Sequence, residues 1–228
     1  DEMMPVISHW GNGWHGLDAF GDPWNLVLGF AVLFLARLLG NLYFINNIRY
    51  EELNARFRRQ LIADVVPFLV FFLAFVIRTL LKDGFAVNPD NGLIVMEPFK
   101  YFHNLIEMPY LLVLFLIGVV GVLYGIGKSI FCKTYTRGIW FAGIGTVLTV
   151  LALLLVVGYN HTAYYPSTAD LQSSLTIANS CSSQFTLKTM AYVSILVPFV
   201  LAYIIYAWRA IDRKPLTMKE VKEDDHSY

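Results

Sequence analysis

Residues 138–159 read GIWFAGIGTVLTVLALLLVVGY, an unbroken run without one charged side chain. A helix of this length extends about 33 Å at its usual rise, which matches the hydrocarbon thickness of a bilayer. A barrel strand would alternate apolar and polar residues over about 10 positions, and this run does not. Lipid offers the backbone no hydrogen-bond partner, so the segment must be helical. Four more stretches read the same way: Pro23 to Ile45, Ala63 to Leu81, Met108 to Phe131 and Leu187 to Trp208. Arg37 interrupts the first, Arg78 lies near the end of the second, and Lys128 is the only charge in the third. Lys188 and Arg209 bracket the fifth. The sequence therefore predicts an all-α membrane protein, a transmembrane helix bundle of five spans.

Composition agrees. Of 228 residues 57% are hydrophobic and only 15% are charged, against about 25% charged in a typical soluble domain. Seventeen basic residues balance seventeen acidic ones. That balance excludes a strongly basic nucleic-acid binder, and the abundance of apolar residues excludes intrinsic disorder.

The zero sum hides a partition. Arg49, Arg56, Arg58 and Arg59 follow the first span, and Lys128, Lys133 and Arg137 follow the third. Arg209, Arg213, Lys214, Lys219 and Lys222 follow the fifth. The opposite side holds only Lys82, Lys100 and Lys188, together with Asp1, Glu2, Asp18, Asp22, Asp83, Asp90, Glu97, Glu107 and Asp170. The positive-inside rule then puts the N-terminus outside and the C-terminal tail in the cytoplasm. On this reading residues 1–22 form an outer loop and 23–159 a four-helix transmembrane bundle. Residues 160–186 form a second outer loop, 187–209 the final transmembrane helix and 210–228 a cytoplasmic tail. Residues 1–22 do not read as a signal peptide. His9, Trp10, Trp14, His15 and Trp24 instead crowd an outer interface, which predicts a C-terminal fragment or a processed product of a longer chain.

Candidate chemistry is sparse. A haem ligand would be a His, Met, Cys or Tyr facing a cavity. No span contains a histidine: His9, His15, His103, His161 and His226 all fall in loops or the tail. Met190 sits just inside the fifth span, where gap-filling is the ordinary role of methionine. His9 and His15 match no zinc spacing. Cys132 and Cys181 fall on opposite sides of the membrane and cannot pair.

Arg37 is the one deep charge, some 20 Å into the first span. It must meet protein or water. An ion pair with a neighbouring helix or snorkelling towards the interface would suffice; the functional alternative is a proton or quinone-headgroup contact. Asp64 and Glu107 read as helix caps, and Arg78 and Lys82 as residues reaching the interface. Gly121 and Gly125 form a GxxxG pair suited to close helix packing, and Pro198 predicts a kink in the last span. Asn160-His161-Thr162 is formally a glycosylation sequon.

The last third carries a resemblance. Tyr164-Tyr165-Pro166-Ser167 precedes Ser174-Leu175-Thr176-Ile177-Ala178-Asn179-Ser180. Ser182-Ser183, Thr186-Leu187-Lys188-Thr189-Met190, Val197-Pro198 and Tyr203 follow. With Asp22-Pro23, the Gly40 to Tyr43 stretch and the ending Thr217-Met218-Lys219-Glu220 and His226-Ser227-Tyr228, this resembles subunit II of cytochrome bd-type quinol oxidases over nearly the whole chain. Subunits of that family have two four-helix repeats plus a peripheral helix, so the five spans here correspond to the second repeat and the peripheral helix. The family's D-G-F-D and H-W-D-G-N-Q-V-W motifs do not occur in this sequence, and no residue role can be carried over from them.

The resemblance implies a non-haem subunit in the bacterial cytoplasmic membrane. It would support a haem-bearing subunit I that holds haems b and d, oxidises quinol and reduces oxygen to water in aerobic respiration. No catalytic, metal or cofactor-binding residue is expected in this chain, with Arg37 the one candidate for function. A rival from another class is half of a transporter that binds an anionic solute near Arg37. Discontinuous helices at the midplane would favour it.

Overall fold

The computed structural model describes residues 13–14, 17–167 and 170–212. His9, Trp10, His15, His226 and the tail cations Arg213, Lys214, Lys219 and Lys222 lie outside the described residues. Among the described residues five helical spans are long and apolar enough to cross a membrane: Pro23–Asn47, Glu51–Leu81, Pro109–Phe131, Gly138–Gly158 and Gln184–Ile211.

Helix α1 (Pro23–Asn47) begins where the sequence provides both start signals: Pro23 at its first position, and the Asp22 carboxylate accepting the Trp24 N–H at 2.9 Å. Helix α2 (Glu51–Leu81) starts twelve residues before the predicted Ala63 boundary. Its first three turns carry arginines, so charge disguises them as a loop. They nevertheless contain no Gly or Pro, and Glu51 and Glu52 complement the positive N-terminal dipole. At 31 residues α2 is about 46 Å long, so the charged turns project beyond a hydrocarbon core of about 30 Å.

A two-stranded antiparallel hairpin follows, β1 (Gly84–Val87) paired with β2 (Ile94–Glu97), and then a short helix, α3 (Lys100–Glu107). Helix α4 (Pro109–Phe131) and helix α5 (Gly138–Gly158) complete the bundle. The dominant pairings are α1 with α2 and α4 with α5, and lighter α1–α5 and α2–α4 contacts close a ring of four.

The α4–α5 seam is built on small residues. A Cβ placed on Gly145 would lie 2.5 Å from the Gly118 carbonyl oxygen, and one on Gly125 would lie 2.5 Å from that of Gly138. Gly121 and Ala142 sit on the same seam, whereas Gly127 and Gly143 face open space. The GxxxG pair is thus part of a longer small-residue interface that brings the two backbones together.

Leu38, Leu42 and Ile45 of α1, Leu61 and Phe68 of α2, Val122 and Ile126 of α4, and Ala142 of α5 form the main core. The outward faces are equally apolar, with Val66, Val70, Val120, Ile144 and Leu154 all exposed. In lipid both faces of a helix are apolar, so periodicity alone does not identify the inner one.

The last span is two helices, α6 (Gln184–Ser194) and α7 (Val197–Asp212), broken at Ile195–Leu196. Pro198, in the first turn of α7, cannot donate to the carbonyl four residues back, which accounts for the predicted break. None of the apolar window of this span is buried against the bundle.

Candidate functional site

The polar residues of α1 and α2 meet around one carboxylate. Asp64 lies three residues after Leu61 and four before Phe68, within the buried stripe of α2. It is therefore thirteen residues into the helix and not a cap, contrary to the sequence expectation. Its side chain is 3% exposed and pairs with Arg37, whose Nη2 lies 3.1 Å from Oδ1. The Arg37 Nε donates to both carboxylate oxygens, at 3.1 and 3.2 Å. Gln60, one turn earlier on α2, donates from Nε2 at 3.0 Å, and Asn41, one turn after Arg37 on α1, donates from Nδ2 at 3.4 Å.

The spacing is what a helix pair requires. Residues 37 and 41, like 60 and 64, are four apart and so share a face. Three separate donors satisfy the carboxylate, which offsets much of the several kcal/mol that burying an isolated ion costs. Pro67 cannot donate to the Ala63 carbonyl, so α2 lacks one backbone hydrogen bond beside this cluster.

The pair is asymmetric: the Arg37 side chain is 50% exposed. Its neighbour-helix ion pair is one of the sequence expectations, and half of the side chain remains exposed beside it. Arg78 stacks over the Trp24 ring at 5.6 Å, near the opposite end of α1 and α2.

A second cluster joins α3 to the end of α5, and sequence reading missed it. Asn104 is fully buried. Its Nδ2 donates to the Val156 carbonyl at 2.9 Å and to the Thr162 hydroxyl at 2.8 Å, and its Oδ1 accepts from Asn160 at 3.0 Å. It thereby caps a carbonyl in the last turn of α5, which has no helical partner of its own. Glu107 ends α3 and accepts a short hydrogen bond from the Asn160 amide, so it does not cap α4 as the sequence suggested. The Asn160 amide of the sequon is engaged by these contacts and Thr162 is buried. Asn160 and His161 adopt left-handed φ of 59° and 51°.

On the same end, Glu97 accepts from Lys100 at 3.2 Å and contacts His103 Nδ1 at 2.8 Å. Burial pushes the Glu97 carboxyl up, but the hydrogen bonds and charges of His103 and Lys100 outweigh it and leave it below the ordinary carboxylate range. A single asparagine or glutamate in a polar connection gives no periodic signal, which is why these contacts were not legible.

The distinctive serine-threonine run has a structural use. Ser174 is fully buried and accepts the Ser167 N–H at 3.0 Å. Asn179 accepts the Thr176 N–H at 2.7 Å and donates to the Ser174 carbonyl at 3.0 Å. Ser183 caps α6 by accepting the Thr186 N–H. The run folds a loop on its own hydrogen bonds and then starts a helix.

Iron ligation would require a His, Met, Cys or Tyr facing a cavity. The apolar cavity enclosed by the four helices is lined by Leu35, Phe68, Phe72, Val122, Thr146 and Thr149 among others, none of which ligates iron. Met190 is exposed on α6, and His103 is held at the surface by Glu97. Among the described residues, neither Met190 nor His103 is placed to hold a haem within the bundle.

Fold and site together define a multi-pass helical membrane protein whose first two helices are tied by an ion pair on a buried carboxylate. The family described as cytochrome bd terminal oxidase subunit II matches residues 4–211. The chain belongs to that family. It is 26% identical over 220 residues to the cytochrome bd-I ubiquinol oxidase subunit 2 of Escherichia coli strain K12, and likewise to that of strain O157:H7. The matches cover 90% of this chain and 56% of each relative, so the chain spans little more than half their length.

Proposed function

We propose that this chain works as part of subunit II of a bd-type quinol:oxygen oxidoreductase, in the cytoplasmic membrane of a bacterium. The observation that carries the reading is the family match over residues 4–211. The complex would oxidise quinol and reduce oxygen to water with haems b and d in the partner subunit I. This chain would support that partner without itself carrying out the chemistry. The cation partition supports an outside N-terminus, outer segments 1–22 and 160–186, and a cytoplasmic tail from 210.

Arg37 fits a supporting role. Its charge is engaged by Asp64, so an anionic solute would have to compete with a carboxylate already at 3.1 Å, which disfavours the transporter reading. Half of its side chain is exposed within the first span, where a polar neighbour is needed. A transmembrane helix of the assembly that brings a carbonyl or carboxylate would supply one.

Deleting the gene and measuring quinol-dependent oxygen consumption by isolated membranes tests the proposal. Loss of bd-type activity, restored by the wild-type gene, is the expected result. Unchanged activity after deletion contradicts it.

A further inference from the structure

At the end of the bundle where α1 turns into α2 and α4 turns into α5, a pocket of about 560 Å³ opens between the two turns. Its walls include Arg49, Arg58, Lys133, Asn54 and Thr136, with Ile45 and Ile48 on the apolar side. Glu51 is the one acid among its lining residues.

The charge in this pocket is not balanced internally. Among the described residues no carboxylate lies within ion-pair distance of Arg49, Arg58 or Lys133. Arg58 is instead fixed by backbone: it donates to the carbonyls of Ser129, Cys132, Lys133 and Tyr135, at 3.1 Å for Cys132 and 2.8 Å for Lys133. Those carbonyls lie at and just beyond the C-terminal end of α4, so Arg58 closes that helix and carries a full positive charge into the pocket. Arg49 and Lys133 are exposed on either side of it. Asn54 adds a buried Oδ1 without a hydrogen-bond donor among the described residues.

Such a site is preorganised for an anion. The pocket lies where the charged first turns of α2 leave the apolar part of the bundle, at headgroup level. Basic pockets between transmembrane helices attract anionic headgroups in this geometry.

We propose that this pocket binds the headgroup of an anionic phospholipid. The phosphate meets Arg49 and Lys133 in the field of the carbonyl-bound Arg58, and the acyl chains run down past the partly exposed Ile48. Free phosphate shares the anionic chemistry but not the chains. The site is independent of the oxidase reading.

The test is native mass spectrometry of the full chain, in its membrane complex, released from nanodiscs of phosphatidylglycerol or phosphatidylcholine. The expected result is retention of phosphatidylglycerol and not phosphatidylcholine, with retention falling about tenfold or more in R49Q/K133Q. The charge-conserving variant R49K/K133R should retain it. Both positions are exposed and among the described residues their side chains make no hydrogen bond or ion pair, so Arg58 keeps the turn in place in every variant. Equal retention of the two lipids, or no loss in R49Q/K133Q, overturns the proposal. So does displacement of the bound lipid by excess inorganic phosphate, which would assign the pocket to the free anion.

Discussion

Arg37 and Asp64 occupy unequal positions, and their substitutions should be unequal too. Arg37→Met strands a carboxylate that is 3% exposed, at a cost of about 3–5 kcal/mol. Asp64→Leu leaves an arginine that is already half open and can turn towards the interface, so its cost should be smaller. The double variant R37M/D64L should recover most of the loss, because replacing both partners removes the buried charge altogether. Denaturation of the reconstituted chain measures all three; an Arg37→Met protein as stable as the wild type would contradict the pairing. Glu97 provides a pH test outside the membrane. Its folded carboxyl titrates below the ordinary range, so its contribution is present above the unfolded value of about 4.3 and disappears as pH falls through the lower folded value. Hydrogen exchange at residues 84–107 should therefore accelerate in acid, and Glu97→Gln should remove that part of the pH dependence.

Among the elements, the α4–α5 seam separates glycines that look alike in sequence. Gly145→Val and Gly125→Leu drive side-chain atoms into the facing backbone and should destabilise by more than about 2 kcal/mol. Gly127→Ala and Gly143→Ala meet open space and should be neutral or slightly stabilising, as alanine favours a helix. Equal losses at all four positions, read by thermal unfolding, would refute the seam. Asn104→Ala should cost about 1–3 kcal/mol by leaving the Val156 carbonyl unpaired. The apolar runs announced α1, α4 and α5 nearly to the residue. The start of α2 stayed hidden because its arginines resemble a loop, and Asp64 was mistaken for a cap as a consequence. Helix α3 and the β1–β2 hairpin are short and polar enough to carry no clear period. Arg37 stood out as a deep charge, but its partner could not be read because periodicity does not say which helix faces which.

The whole chain is a helical bundle in which the main stabilising contacts come in pairs, α1 with α2 and α4 with α5. The span α6–α7 stands apart, and the bundle presents apolar faces on all sides. On the proposed function, a molecule of this form, with the Arg37 side chain half exposed within its first span, works against another membrane subunit. On the same proposal this other subunit carries haem. Affinity purification of the tagged full chain from its native membranes, followed by absorption spectroscopy and identification of the co-purifying proteins, tests it most directly. A haem-bearing membrane subunit co-purifying with quinol oxidase activity is the expected result; a chain recovered without haem or such a partner would contradict the proposed function.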